Sequence, residues 1–324
     1  MTGSRRTTRA LVAGALALAA LAAGGAAVAE TRVTLKAAKA GSSYYQMAVQ
    51  LAETVKASTD GDVSVTVEES QGSVQNVMEA GVRPGNYVFT SPPALIGLAR
   101  GGEGMFEGKA NPVFAEIRTL FPIPSLTMHF VASEASGVTD LAGLAGKTVL
   151  LGKGSFGATE GETYLELFGL ADKVEVADAE LSNAVAALKN GQIDAFVTAG
   201  SWPAPNVVEA AAGSAVTVLS MSDEEVAETG RTRIVIPAGT YAGQEKDVVT
   251  TSLPVAVYTT TATDDDTAYA LTKAFWDGKE AMGETSPWWN SVDASLFGSV
   301  ATPLHSGALR WYDENGIELP DALR

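Results

Sequence analysis

The chain has 324 residues, 46% of them apolar, and its 22 lysines and arginines are outnumbered by 38 acids, for a formal charge of −16. So acidic a chain repels nucleic acid and anionic membrane surfaces, and neither is expected as a partner. With no cysteine and only His129 and His305, there are no disulfides, no thiol nucleophile and too few ligands for a histidine- or thiolate-based metal site; no cofactor is expected.

Residues 1–29 read as an address. Arg5, Arg6 and Arg9 precede an Ala- and Leu-rich run, and Ala27-Val28-Ala29 gives a small-x-small site before Glu30, the layout of a cleaved secretory signal. The run falls short of the roughly 20 strongly apolar residues that a membrane span needs. Ser4-Arg5-Arg6 admits a twin-arginine route, but Thr7 and Thr8 replace the apolar residues that usually follow, so the export channel stays open. Cleavage after Ala29 removes three arginines and no acids, taking the charge from −16 to −19. The mature product is expected to be periplasmic and monomeric, without membrane insertion of its own.

The mature chain begins with "TRVTLK", whose Val33 and Leu35 alternate with polar residues as in a strand, and "SSYYQMAVQLAETVKAST" places Met47, Val49, Leu51 and Val55 on one helical face. "DVSVTVEES" is a second strand, "VQNVMEAGV" a short helix after Gln71-Gly72-Ser73, and "NYVFTSPPALIGLA" a strand, turn and helix. Strand followed by helix three times in a row predicts a parallel, layered α/β sheet. Two prolines then precede a long strand, Leu126 to Ser133, which carries the chain into a second region.

That region holds a short helix, the strand "KTVLL", a glycine loop, a longer helix, "KVEVADA", and "ELSNAVAALKNGQIDAFVTAG" with Gly191 closing its helix. After the strand "AVTVLSMS", a second long strand, Pro254 to Thr260, leads back, and the C-terminal part is mainly helical. Asp264-Asp265-Asp266 lacks the spacing of a calcium loop and stands before a helix, so capping is the better reading. The expected organisation is therefore residues 30–125 plus 256–324 as one lobe and 126–255 as the other, joined by two strands.

Several collinear segments carry a family resemblance: "KAGSSYYQMAVQLAE", "VEESQGSVQNV", "ALKNGQIDAFVTAGSWPAP" and "IPAGTYAGQEKDVVT". Over nearly the whole mature length the chain resembles the TAXI family of extracytoplasmic receptors of TRAP transporters. The resemblance implies a type II periplasmic-binding-protein fold, in which two α/β lobes joined by hinge strands close over a small ligand. It also implies delivery to the membrane permease subunits of an ion-gradient-driven TRAP transporter, with glutamate-like amino acids or dicarboxylates as ligands. Gly41-Ser42-Ser43 departs from the pattern, since a second glycine is common there, and this weakens the inference of ligand from relatives.

A small anionic ligand needs inward donors, and helix N-termini supply them. Ser42, Ser43, Tyr44 and Tyr45 open the first helix, Gln71 and Ser73 the second, and Ser155 and Thr159 the helix of the second lobe. Ser73 and Ser155 also suit helix capping, and one of the two tyrosines is expected to line the pocket while the other packs. Ser91 follows a strand end and Trp202 follows "DAFVT", both places where α/β sheets put ligands. Lys153 faces either a ligand carboxylate or solvent, Arg118 is as readily a surface ion pair, and Trp288-Trp289 reads as packing of the C-terminal helices.

The alternative is a nucleotide-binding oxidoreductase. Gly152-Lys153-Gly154-Ser155-Phe156-Gly157 is literally G-x-G-x-x-G, and Glu175 and Asp178 follow where a ribose-binding acid would stand. Against it stand the export signal and the lack of catalytic equipment. No G-x-S-x-G elbow occurs, and the adjacent Glu68 and Glu69 point to opposite faces of a strand, so the chain is not expected to be an enzyme.

Overall fold

The computed structural model describes residues 30–83, 85–300 and 302–324; the expected signal segment lies outside them. The first strand, β1 (Thr31–Lys36), buries Val33 and Leu35. It leads into α1 (Ser43–Ser58), whose start is capped by Ser42 accepting the Tyr45 N–H and whose Met47, Leu51 and Val55 are buried. The strand-then-helix rhythm continues through β2 (Val63–Glu68), α2 (Ser73–Ala80), β3 (Tyr87–Ser91) and α3 (Pro93–Gly101). β1 pairs in parallel with both β2 and β3.

β4 (Ile117–Ser133) begins well before Leu126 and runs straight through Pro122 and Pro124. Prolines cannot donate to a ladder; where β4 meets β10 (Val248–Thr260), Pro124 falls in a register shift between Leu126 and Ile123, while Pro122 stays in register with Ala256. β4 and β10 pair antiparallel along Ile117–Thr127. Beyond that point β4 pairs with β7 (Ala195–Gly200) and β8 (Val216–Val218), while β10 pairs with β9 (Thr232–Ile236).

β5 (Thr148–Leu150) lies parallel to β7 and to β6 (Glu175–Ala177), giving the strand order β2-β1-β3-β10-β4-β7-β5-β6. The helices beside these strands are α4 (Phe156–Leu167), α5 (Ala184–Lys189), α6 (Pro205–Gly213) and α7 (Asp223–Thr229). α6, α7 and β9 extend the sequence reading.

Two long strands therefore run from one group of parallel strands into the other, and the expected lobe boundaries at 125/126 and 255/256 fall inside them. Residues 31–324 pack as one unit. The larger apolar cluster spans it, and a smaller one around Phe196, Val207 and Tyr241 belongs to residues 131–248.

The chain ends in α8 (Asp265–Thr285) and α9 (Ser306–Glu314). Asp264 caps α8 by accepting the Thr267 N–H, as the capping reading required. Gly307 lets the two helices cross closely, because a Cβ there would lie 2.1 Å from the Asp265 carbonyl oxygen. Trp289 is buried in an aromatic cluster with Phe275 and donates its indole N–H to Gln50.

Candidate functional site

A cavity forms where the two strand groups meet, leaving 70 Å³ to the centres of water-sized spheres. At about 10–15 Å³ per water, that is room for roughly five waters or a small solute. One wall is the loop after β1, with Lys39, Ser42 and then Tyr44, together with Gln71, Gly72 and Ser73 at the start of α2. The opposite wall is the β5–α4 loop, with Gly152, Lys153 and Ser155, and the first residues of α4. Leu126 of β4, Val255 of β10 and Thr198 of β7 complete it.

The starts of α2 and α4 stand face to face. Gly72 caps α2 at φ 108°, a conformation that side chains rarely adopt, and a Cβ on it would sit 3.9 Å from the Phe156 backbone nitrogen. α2 has no side-chain cap, whereas Ser155 caps α4 by accepting the Ala158 N–H at 3.0 Å. Each first turn carries N–H groups without an intrahelical acceptor and the positive end of a dipole. Bringing two such ends together creates a local preference for negative charge within an acidic protein. The lining lysines add little, because Lys39 pairs with Glu180 at 3.3 Å and Lys153 with Asp178 at 2.7 Å.

Of the residues singled out in the sequence, Ser42, Tyr44, Gln71, Ser73 and Ser155 line the cavity. Tyr44, not Tyr45, is the lining tyrosine; its hydroxyl donates to the Pro124 carbonyl at 3.0 Å, and burial pushes its pKa well above the usual phenol range. Ser43 is turned away from the cavity and buried, accepting the Ser201 N–H at 3.0 Å. Ser91 sits behind the start of α2, where its hydroxyl donates to the Ser73 carbonyl at 2.9 Å. Thr159 lies one turn into α4, and its carbonyl receives the Thr163 hydroxyl. Trp202 lines a different pocket, beside Trp288. Arg118 lies away from the cavity and donates to the carbonyls of Ala115 and Ile117.

A family model described as the NMT1-like family matches residues 35–316. The chain belongs to the NMT1-like family. Two solved structures show its fold. One, described as a periplasmic transporter, is 12% identical with a TM-score of 0.54, covering 88% of this chain and 92% of that one. The other, the periplasmic binding protein BugD, is 13% identical with a TM-score of 0.53, covering 90% and 99%. The fold is the type II periplasmic-binding-protein fold, a mixed α/β architecture.

In this NMT1-like protein the G-x-G-x-x-G glycines have local causes. Gly152 and Gly154 turn the loop at φ 82° and 77°, and Gly157 lets α4 press on β7, since a Cβ there would lie 3.0 Å from that of Ala199. Asp178, at the position a ribose-binding acid would take, is held by Lys153. The segment "IPAGTYAGQEKDVV" is a self-stitched connection between β9 and β10, in which the Gln244 amide donates to the carbonyls of Ile236, Pro237 and Lys246. Its Tyr241 is buried, with the hydroxyl accepting the Ala204 N–H at 2.9 Å and lying 2.8 Å from His129 Nε2.

Sequence reasoning missed the residues that position the site. Asn76 of "ESQGSVQN" is fully buried in α2, and its amide donates to the carbonyls of Lys36, Ala37 and Thr90. It ties α2 to the ends of β1 and β3; a buried amide amid an apolar helical face was the available signal. Lys36 is also buried and pairs with Glu79 of α2 at 3.0 Å. Burial opposes ionisation of Glu79, but hydrogen bonds from Lys36 and Gln75 outweigh it and hold the carboxyl below its ordinary range.

Proposed function

We propose that the protein is an exported solute-binding receptor that captures a small anionic solute, a glutamate-like amino acid or a dicarboxylate, and delivers it to a TRAP-type permease. The observation that carries this reading is the opposed starts of α2 and α4, with Gly72 facing the Phe156 backbone nitrogen at a small cavity. Family membership and fold are consistent with a solute-binding role, and the motif resemblance to TAXI receptors supports the TRAP assignment. Residues 30–125 with 256–324, and residues 126–255, act as the two lobes, with β4 and β10 as the hinge. Ligand binds the closed arrangement better and shifts the equilibrium toward it. Ser42, Tyr44, Gln71, Ser73 and Ser155 meet the ligand, with the helix-start amides taking its carboxylate.

The reading is tested by thermal unfolding of the purified protein with L-glutamate, succinate and 2-oxoglutarate. A true ligand at a hundredfold excess over its Kd stabilises the protein by about 2.7 kcal/mol. Absence of stabilisation by any amino acid, keto acid or dicarboxylate overturns it.

A further inference from the structure

A second pocket lies on the other side of β4. Leu126 faces the first cavity, whereas its strand neighbours Ser125 and Thr127 line the second, as alternation along a strand requires. It offers 310 Å³ to the centres of water-sized spheres, more than four times the space of the first. It is lined by Trp202 and Trp288, by Pro124 and Pro287, and by Ile234 and Val235 of β9. The remaining lining groups are hydroxyls and one amide; among the described residues, no charged one lines it.

We infer that this pocket is a second small-molecule site, selective for a neutral planar compound. Flat apolar walls suit a planar body. The uncharged lining offers nothing to offset the desolvation of an ion. This chemistry differs from that of the first cavity, where two helix starts favour an anion.

Benzamide serves as the probe and sodium benzoate as its anionic counterpart. The readout is the indole N–H resonance of Trp288 in ¹⁵N-labelled protein, assigned by its disappearance in Trp288→Phe. Benzamide is expected to move that resonance saturably, and benzoate to bind at least about tenfold more weakly. Val235 is partly exposed on β9, so Val235→Trp fills the pocket from its rim; it should abolish the saturable shift while leaving the circular dichroism spectrum unchanged. Absence of a saturable shift, a shift that survives Val235→Trp, or equal binding of benzoate each overturns the proposal.

Discussion

The Glu180 carboxylate stands 3.3 Å from the Lys39 ammonium, and the two residues come from opposite walls of the candidate cavity. Both are substantially exposed, so the pair contributes less than about 1 kcal/mol to stability and is screened by salt. With the anionic ligand proposed here, its larger effect is on binding, because Glu180 repels an anion and occupies Lys39. Glu180→Gln should leave the thermal midpoint nearly unchanged and tighten L-glutamate binding about fivefold at low salt, while Lys39→Ala should weaken it. Isothermal titration of both variants checks this; affinities equal to wild type would show that neither residue meets the ligand.

Gly200, the last residue of β7, is needed for the seam between α1 and the second strand group. A Cβ there would lie 2.7 Å from Ser43 Oγ, the acceptor of the buried Ser201 N–H. Gly200→Ala must displace Ser43 and lose that hydrogen bond, costing about 1–3 kcal/mol. Urea unfolding measures it, and a double-mutant cycle with Ser43→Ala should show coupling, since removing the hydroxyl relieves the clash.

How far the molecule could be read beforehand follows from what each signal depends on. Val33 and Leu35 alternating in β1, and Met47, Leu51 and Val55 recurring in α1, are local patterns, and the structure follows them; Val49, expected on the same helical face, is only half-buried because two residues along a helix turn it well away from Met47 and Leu51. Pro122 and Pro124 hid the first half of β4, because tolerance of proline in a strand depends on the register of its partner. α7 carried a readable start signal, the capping box of Ser222 and Glu225, which the sequence reading passed over. Ser43, Ser91 and Trp202 show the harder limit. Their loops reach the site region, but which face each side chain takes is fixed by long-range pairing such as Ser43 with Ser201.

Asn76 illustrates a positioning residue whose loss should affect both fold and site. Asn76→Ala removes the amide that donates to three carbonyls and leaves a void at a fully buried position. A destabilisation of about 2–4 kcal/mol is expected. Because the amide holds the start of α2 against β1 and β3, ligand affinity should fall even at temperatures where the variant is fully folded. Calorimetric unfolding together with titration separates the two effects.

Ser155 has two roles that substitution can divide. Ser155→Ala removes the cap of α4, worth about 1 kcal/mol, and leaves the helix start otherwise intact. Ser155→Glu in addition brings a carboxylate to the wall facing Gly72, where a ligand anion would sit. The alanine variant should bind L-glutamate with modestly reduced affinity, and the glutamate variant should not bind it while keeping the wild-type circular dichroism spectrum. Unaltered affinity in the glutamate variant would remove Ser155 from the site.

His129 sets a pH dependence of stability. It is 1% exposed, its Nδ1 lies 3.1 Å from the Thr127 carbonyl oxygen, and its Nε2 lies 2.8 Å from the Tyr241 hydroxyl. The Tyr241 oxygen already accepts the Ala204 N–H, so the consistent arrangement has Tyr241 donating to a neutral imidazole that donates from Nδ1 to Thr127. Burial pushes the imidazole pKa down from 6.5 to about 4. Between those values the unfolded chain binds a proton that the folded protein refuses. The stabilisation is therefore full above pH 6.5 and is lost as the pH falls toward 4, by a total on the order of 3 kcal/mol. His129→Gln keeps a donor and an acceptor but cannot titrate, so its unfolding free energy should fall less than that of wild type between pH 7 and pH 4. Urea unfolding at a series of pH values measures the difference, and parallel curves would refute a neutral buried histidine.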